Sequence, residues 1–329
     1  MDNNTYPIIM TPRAFSNAFR VLLAVGGSTN GLIHMTAVAG RLGIQVDLHA
    51  LDLMGRNTPV LVDLKPSGQH YMEDLHKAGG LAPILRELSS LLHLDCMTVT
   101  GRTLGEEIDD APTWSQKIVK SIQSPLSSEG GIAVLTGNLA PDTAIIKQSA
   151  ATADLLVHEG RAVVFESLED LENRIDDPNL EVEEDDILVL RNAGPKGAPG
   201  MPESGYIPIP KKLAEAGVKD MVRISDARMS GTAFGTIVLH VCPEAAIGGP
   251  LAFVHDGDRI RLDVPNRRID LLLETQILEE RRVMWNPPTP PTGSDRGYLR
   301  IHLEHVEQAN RGCDLDVLKP KVVDAITPE

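Results

Sequence analysis

The feature that most limits how this chain can fold is a series of short apolar segments that begins near residue 130. They are rich in Val, Ile and Leu, are separated by Gly, Pro, Asp and Asn, and read GIAVLTGNL, RAVVFES, DDILVLRNAG, MVRISDA, GTIVLHV, LAFVHDGDRIRLDV and RRIDLLL. Such segments are typical of β-strands bounded by turns. Because so many short strands follow one another closely, we predict a barrel-like or sandwich domain with a few helices attached.

The first 112 residues differ, because their apolar residues recur at helical spacing. Thr11 followed by Pro12 is typical of a helix start, and AFSNAFRVLLAV continues the pattern. A polar stretch at 113–128 is a plausible connection between domains. We therefore predict an α/β plus β protein with a largely helical first domain over residues 1–118. A β-barrel-rich domain over 119–329 would follow, and the segment LRIHLEHVEQANRG would end it with a helix.

Composition excludes several classes of function. The formal net charge of −15 over 329 residues argues against nucleic-acid binding, which needs clustered Lys and Arg. The three cysteines are far apart and form no CxxC pair, which argues against a disulfide framework or a zinc site. No apolar stretch approaches the roughly 20 residues that span a bilayer, and the N-terminus lacks the pattern of a secretory signal. We expect a soluble, cytoplasmic protein that binds neither nucleic acid nor membrane.

A segment rich in Gly and Pro, GPKGAPGMPE, ends at Glu203. Three glycines and three prolines in ten residues fix a particular backbone shape instead of continuing a strand or helix. The segment is either a surface turn with an incidental acid or a site where backbone amides and one carboxylate converge on a ligand. Mg²⁺ suits the second interpretation, since it prefers oxygen ligands and takes few of them from any one segment.

Ser230 lies in a second segment of small residues, SDARMSGTAFGT. It is not the nucleophile of a G-x-S-x-G motif, because Arg228 stands two residues before it. We find no Asp/His pair to complete a triad and expect His240 and His255 to lie on strand faces. A serine hydroxyl needs a base or a cation to become reactive. We therefore predict a metal that activates Ser230 and is shared with Glu203.

Two further segments could bind an anion. GGSTN begins a helix, and its amides with the side chains of Ser28, Thr29 and Asn30 form a favourable site for a carboxylate or phosphate. Ordinary helix capping explains the same residues equally well. DLKPSG presents Lys65 on a tight turn, where it either pairs with an acidic substrate or belongs to an ordinary surface turn.

Several segments together resemble the C-terminal portion of the dihydroxy-acid and sugar-acid dehydratase family. They follow the family's order along nearly the whole chain and read GGSTN, DLKPSG, LDCMTVTGRTLGE, TGNLAPD, GPKGAPGMPE, VRISDARMSGTAFGT, PEAAIGGPLAFVHDGDRIRLDVPNRRIDLLL and RGYLRIHLEHVEQANRGCDLD. The form DARMSGTAFGTIVLHV is more similar to pentonate-type sugar-acid dehydratases than to the branched-chain amino-acid enzymes.

The resemblance implies removal of water from 2,3-dihydroxy carboxylates to give 2-keto acids. It makes Glu203 a Mg²⁺ ligand and Ser230 the base at C2, and it places Thr232 beside the substrate. It also implies a [2Fe-2S] cluster that acts on the departing hydroxyl. The family's architecture is an α/β domain followed by a β-barrel-rich domain of the aconitase-swivel kind, with residues 1–118 as the latter part of the first domain, and its members form dimers or tetramers.

Cysteine placement separates this chain from the family pattern. Cys96, Cys242 and Cys313 do not fall at the family's cluster positions, which belong to an N-terminal part that precedes the matched segments. We therefore expect the chain to lack the cluster ligands and to hold only part of the Mg²⁺ site. Apolar faces that the N-terminal part normally covers would favour self-association.

Three hypotheses follow. The chain is the C-terminal part of a split or truncated sugar-acid dehydratase that works with a cluster-bearing partner chain. Alternatively, it is a cluster-independent lyase, isomerase or hydrolase that acts on a hydroxy acid through Glu203 and Ser230. The third possibility is a non-catalytic partner or scaffold.

Overall fold

The computed structural model describes residues 6–111, 117–200, 207–229, 234–321 and 324–325. Contacts divide the chain into two compact units. The first is formed by Met1–Ile132 with Pro320–Glu329, and the second by Ala133–Lys319.

The first unit is mainly helical. Its helices are α1 (Tyr6–Ile9), α2 (Pro12–Ala24), α3 (Thr29–Arg41), α4 (Leu48–Arg56), α5 (Met72–Lys77), α6 (Leu81–Glu87) and α7 (Leu104–Asp110). A short parallel pair joins β1 (Ile44–Gln45) to β10 (Asp324–Ala325). The helix start predicted at Thr11 is confirmed, because the Thr11 hydroxyl accepts a hydrogen bond from the amide of Ala14 and Pro12 is the first helical residue.

The core of the first unit forms where the end of α2 packs on an extended segment at 60–64. Leu61 and Val62 in that segment are buried, and bridges join Val60 to Ser127 and Val62 to Val119. Apolar residues from α5, α6 and the segment 118–119 complete the cluster around them. Each fully buried Leu or Phe side chain contributes roughly 1.5–3 kcal/mol to folding, so this cluster is a main source of the unit's stability.

The second unit is built around one sheet. Its strands are β2 (Ala133–Leu135), β3 (Thr143–Ile146), β4 (Val157–Phe165), β5 (Ile187–Leu190), β6 (Arg223–Ser225), β7 (Ile237–Cys242), β8 (Arg259–Asp263) and β9 (Arg268–Leu271). They pair in the order β2-β3-β7-β6-β5-β4-β8-β9. A bridge between Thr136 and Arg268 connects the two ends of this order, so the sheet is barrel-like and nearly closed.

Both faces of the central strands are covered by apolar residues. Leu135, Val164 and Val189 belong to the cluster on one face, whereas Phe165 and Leu188 belong to the cluster on the other. The pairs β4–β5, β5–β6 and β6–β7 are parallel. The outer neighbours of this group, β8 beside β4 and β3 beside β7, are antiparallel. Parallel strands buried on both faces read as continuous apolar runs, and this explains why the segments DDILVL and GTIVLHV lack polar alternation.

Short helices lie between and after the strands. They are α8 (Leu168–Arg174), α9 (Lys211–Glu215), α10 (Thr275–Met284) and α11 (Gly297–His305). The strands predicted in LAFVHDGDRIRLDV and RRIDLLL are confirmed as β8 and β9, which pair antiparallel across a turn at Pro265 and Asn266. The predicted helical tail is confirmed in part, since α11 ends at His305 and only a short 3₁₀ turn at Ala309–Arg311 follows. The fold is therefore mixed α/β with a barrel-like sheet, as predicted.

Among the described residues, no helix combines the length and the apolar character needed to cross a membrane.

Candidate active site

The segments that carry Glu203 and Ser230 leave the barrel at the same end. Glu203 follows β5 and Ser230 follows β6, and these two strands are adjacent and parallel. The carboxyl ends of adjacent parallel strands lie at one edge of a sheet, which is where α/β proteins commonly place their sites. Glu203, Ser230 and Thr232 themselves lie outside the described residues, which end at 200 and 229 and resume at 207 and 234.

Asp226 connects the beginnings of these two segments. It directly follows β6, its residue is 1% exposed, and its carboxylate accepts hydrogen bonds from the amides of Asn192 (3.2 Å) and Ala193 (3.0 Å). It also accepts one from the amide of Ala245 (2.9 Å). Burial raises the pKa of Asp226 to about 7, helped by the negative charge of Glu244 and opposed by the amide donors. One carboxylate thus holds the start of the Glu203 segment against the start of the Ser230 segment.

Glu244 holds the Glu203 segment a few residues later. It lies two residues beyond β7 and is 1% exposed. Its carboxylate accepts hydrogen bonds from the amides of Lys196 (3.0 Å) and Gly197 (2.9 Å) and from Nε2 of Gln308 (2.6 Å). A Cβ at Gly194 would lie 2.6 Å from Oε2 of Glu244, so only glycine allows this close approach.

Arg223 connects the ends of the same two segments. Its guanidinium donates to the carbonyl of Ile207 (3.1 Å) and to the carbonyl of Phe234 (3.3 Å). Ile207 is the first described residue after Glu203, and Phe234 is the first after Ser230. Gly235, with φ of 126°, leaves room for the side chain, because a Cβ there would lie 1.9 Å from Nη2 of Arg223. The guanidinium therefore fixes both segments where they rejoin the fold.

Asp220 neutralises the buried charge of Arg223. The two form an ion pair of 2.7 Å with both side chains buried. The carboxylate also accepts hydrogen bonds from the hydroxyls of Thr152 (2.7 Å) and Thr236 (2.8 Å). Burial acts to raise the pKa of Asp220, but these hydrogen bonds and the charge of Arg223 outweigh it and hold that pKa below its usual value. A buried ion pair with additional hydrogen bonds of this kind keeps a fixed geometry.

A histidine from α11 contacts the Glu203 segment from another side. Nε2 of His302 lies 3.1 Å from the carbonyl of Pro195 and 3.4 Å from the amide of Gly200. The two histidines expected on strand faces differ. His240 is buried within β7 as predicted, whereas the prediction for His255 is wrong, since this exposed residue lies in the turn before β8.

Ser28, Thr29 and Asn30 lie in the first unit, at the beginning of the 13-residue helix α3. Ser28 is the N-cap, and its hydroxyl accepts a hydrogen bond from the amide of Asn30 (3.1 Å). Thr29 is buried. Capping therefore occupies the Ser28 hydroxyl, while a role for the three residues in binding a carboxylate stays a prediction.

Lys65 also lies in the first unit, exposed on its turn. Its ammonium group is 2.5 Å from the hydroxyl of Tyr71 and 4.0 Å from the centre of that ring. The turn is held by Asp63, whose carboxylate accepts from the amide of Gln69 (2.8 Å), and by Gly68, where a Cβ would lie 2.2 Å from the same carboxylate. A specific local structure thus presents this cation to solvent, and its pairing with a substrate stays a prediction.

The cysteines were tested as ligands for an iron–sulfur cluster, which is held by thiolates. Burial raises the pKa of Cys96, raises that of Cys242 to about 12, and raises that of Cys313 further above its usual range. These environments disfavour the free thiolate, and Cys96 belongs to the first unit whereas Cys242 and Cys313 belong to the second. Within the described residues, no three His, Cys, Asp or Glu side chains are grouped as metal ligands.

Family models match the chain in two consecutive parts. The N-terminal model of the dihydroxy-acid/6-phosphogluconate dehydratases matches residues 2–107, and the C-terminal model matches residues 117–313. This chain belongs to the dihydroxy-acid/6-phosphogluconate dehydratase family. The family resemblance found from the sequence motifs is therefore confirmed.

Similar members of this dehydratase family act on different acids. The chain is 51% identical to an L-arabinonate dehydratase of Rhizobium leguminosarum, over 94% of this chain and 54% of that protein. It is 47% identical to a 6-deoxy-6-sulfo-D-gluconate dehydratase of Pseudomonas putida, over 94% and 54%. It is 41% identical to a dihydroxy-acid dehydratase of Methanothrix thermoacetophila, over 92% and 55%. The chain spans about half the length of the curated relatives it matches.

Sequence reasoning missed Arg223, Asp226 and Glu244. A signal was present, since Arg223 stands between apolar residues of a strand in MVRIS, where a charged side chain is costly to bury unless it is paired. The residues of the two segments that they bind stand between 11 and 48 positions away along the chain, and no local pattern identifies them.

Proposed function

We propose that this chain provides the part of a sugar-acid dehydratase that removes the C2 proton from a 2,3-dihydroxy acid. Membership of the dehydratase family supports the reaction class. The higher identity to the L-arabinonate enzyme than to the dihydroxy-acid enzyme, 51% against 41%, supports a sugar acid as substrate. The observation that carries the proposal is the joining of the Glu203 and Ser230 segments at both ends by Asp226 and Arg223.

In the proposed reaction Ser230, ionised to the alkoxide, takes the proton from C2 of the substrate. The electron pair of the C2–H bond forms the C2–C3 double bond, and the C3–O bond breaks with its electron pair on oxygen. The departing hydroxide takes up one proton, equivalent to the one that Ser230 received, and leaves as water; this restores the alkoxide, and the enol tautomerises to the 2-keto acid. Glu203 is proposed as a Mg²⁺ ligand, and the bound ion would draw negative charge from the carboxylate and increase the acidity of the C2 proton. Thr232 is proposed to contact the substrate beside Ser230.

We propose that residues of the first unit bind the carboxylate of the substrate. Lys65 provides an exposed ammonium group, and the start of α3 at Ser28, Thr29 and Asn30 provides amides and a favourable helix end. These groups have no proposed role in breaking the C3–O bond.

Groups outside these 329 residues are proposed to complete the site. Cys96, Cys242 and Cys313, all within the described part of the chain, are not grouped as metal ligands, so we assign no residue of this chain to activation of the 3-hydroxyl. We propose that the chain works either with a cluster-bearing partner chain or as a homo-oligomer. The proposal also includes an aconitase-swivel-like arrangement of the barrel and a cytoplasmic location.

A second candidate is a cluster-independent lyase or isomerase that acts on a hydroxy acid. It rests on the same observation, namely that Asp226 and Arg223 join the Glu203 and Ser230 segments at both ends. Ser230 and Glu203 would have the same roles in both candidates.

The test is an anaerobic assay of the purified chain with Mg²⁺ on L-arabinonate and other 2,3-dihydroxy acids, with 2-keto acid as the measured product. The assay is run alone and with an N-terminal polypeptide from the 51%-identical relative. We expect activity that Ser230→Ala lowers by about 10³-fold or more, as for loss of other catalytic bases. The exposed Ser124→Ala variant serves as the matched control.

Activity only with the added polypeptide supports the dehydratase, and activity of the chain alone supports the second candidate. Equal turnover by Ser230→Ala and Ser124→Ala would contradict the role of Ser230. Inertness in every combination would favour the scaffold hypothesis.

A further inference from the structure

We infer that Arg223 is a positioning residue, which fixes Glu203 and Ser230 relative to one another by binding the exits of both segments. The inference rests on the proposed function for the roles of those two residues. It concerns a buried residue of β6 that touches neither the substrate nor the ion in the proposed reaction.

The geometry of Arg223 is suited to two carbonyls at once. The residue is 3% exposed, and one nitrogen of its guanidinium faces the carbonyl of Ile207 while another faces that of Phe234. A guanidinium is a planar fork of donors, so bonding to one carbonyl also sets the position available to the other. A lysine ammonium on a flexible stem has no such fork.

The residues around Arg223 restrict the movement of its guanidinium. The carboxylate of Asp220 pairs with Nη2 of Arg223 at 2.7 Å, and it also accepts hydrogen bonds from the hydroxyls of Thr236 and Thr152. Gly235 leaves the space that a Cβ would fill. Phe234, Gly235 and Thr236 lie four to six residues after Ser230, so these contacts hold the exit of the Ser230 segment, and the bond to the carbonyl of Ile207 extends them to the other segment.

A role in barrel stability alone is the competing explanation. The chain offers a matched pair in Arg161 and Asp186, where both hydrogen bonds of the guanidinium go to one carboxylate, at 3.1 and 2.8 Å. That pair joins β4 to the turn before β5. Arg161→Lys therefore makes the same chemical change in the same barrel without touching the Ile207 or Phe234 carbonyls.

The experiment compares Arg223→Lys with Arg161→Lys by hydrogen exchange and mass spectrometry. Peptides over 194–209 and 226–236 report on the two segments, and peptides over β8 and β9 report on the barrel. For Arg223→Lys we expect exchange to rise about tenfold in both segments, as local opening becomes easier, with β8 and β9 unchanged. For Arg161→Lys we expect both segments to exchange as in the unaltered protein.

The activity assay adds a second readout. Arg223→Lys should lower kcat at least about tenfold and change KM for the acid less than about threefold, because misplacement of reacting groups reduces turnover more than ground-state binding. Gly235→Ala keeps the arginine but displaces its guanidinium, and it should give the same exchange pattern.

Each outcome decides the question. A rise in one segment only, an equal rise in β8 and β9, or an equal effect of Arg161→Lys would overturn the inference. Failure of both Arg223→Lys and Gly235→Ala to fold, with Arg161→Lys folded, would assign Arg223 to stability and also overturn it. Should Ser230→Ala retain activity, the proposed function fails, while the exchange data still test the coupling of the two segments.

Discussion

The turn that carries Lys65 and the segments that carry Glu203 and Ser230 all contain glycine or proline, but they are fixed in different ways. In the Lys65 turn, Asp63 accepts hydrogen bonds from the amides of Gln69 and His70, six and seven positions later. Asp226 and Glu244 bond to amides 34 and 48 positions away, and both carboxylates are buried. Short-range hydrogen bonds at the surface shape the first region, whereas buried charges from distant strands shape the second.

This difference predicts how strongly each region depends on single side chains. Hydrogen bonds to a buried charge are stronger than neutral ones, and leaving one partner unsatisfied costs more inside the protein than at its surface. The following substitutions test that contrast, from the largest expected effect to the smallest.

The largest effect is expected from Asp226, which should make the free energy of unfolding depend on pH. Its pKa is raised from 3.8 to about 7 in the folded protein, so the folded state retains the proton while the unfolded state loses it. The contribution of Asp226 to stability is therefore present below about pH 4 and is lost as the pH rises to about 7, by up to roughly 4 kcal/mol. Asp226→Asn should remove this slope, as measured by urea unfolding at pH 5, 6 and 7.

The control for this prediction is Asp177→Asn, an exposed residue whose variant should keep the slope of the unaltered protein. A parallel pH dependence for Asp226→Asn and the unaltered protein would show that Asp226 is ionised throughout. The predicted pH dependence of stability would then be wrong, and Asp226 would hold the two segments as a charged group over this pH range.

Glu244→Gln should have the next largest effect. The amide retains one acceptor oxygen, but its NH₂ group must face either the backbone amides of Lys196 and Gly197 or Nε2 of Gln308, so the hydrogen bonds on that side are lost. We expect a loss of about 2–3 kcal/mol in unfolding free energy by urea denaturation, since bonds to charged groups contribute about 1.5–3 kcal/mol each. The exposed Glu172→Gln should change it by less than about 0.5 kcal/mol. Equal effects of the two would mean that Glu244 does not hold the segment.

Ser28→Ala should have the smallest effect. It removes the cap of α3, where the hydroxyl accepts from the amide of Asn30, and we expect about 1 kcal/mol of destabilisation. Ser28→Asp should restore the cap and hence the stability, while its negative charge would weaken binding of an acidic substrate. A loss well above that of Glu244→Gln would contradict the expectation that buried charges matter more for stability than short-range hydrogen bonds.

The same contrast explains how much could be predicted from the sequence. The start of α2 at Thr11 and Pro12 and the hairpin at Pro265 were predictable, because a few neighbouring residues determine them. The mixed fold followed from the succession of short strands. The early end of the tail helix at His305 was not predicted, since its last turn is followed by a bridge between Val306 and Leu315 that periodicity does not reveal.

Less of the candidate site than of the fold could be predicted from the sequence. The residue types and compositions of the segments around Glu203 and Ser230 suggested their chemistry, and this prediction awaits a test at those residues. The residues that hold the segments were not found from the sequence. Arg223 and Asp226 can bond to both segments only because β5 and β6 pair in parallel, and this pairing is not visible in the sequence.

The most direct test of the account is a crystal structure of the chain with Mg²⁺ and L-arabinonate. We predict a carboxylate oxygen of Glu203 within about 2.1 Å of the ion, and the Ser230 hydroxyl beside the same ion and facing C2 of the acid. Glu203 and Ser230 pointing into separate spaces, more than about 10 Å apart and with no ligand between them, would contradict the account, since such a gap exceeds the reach of any shared ion.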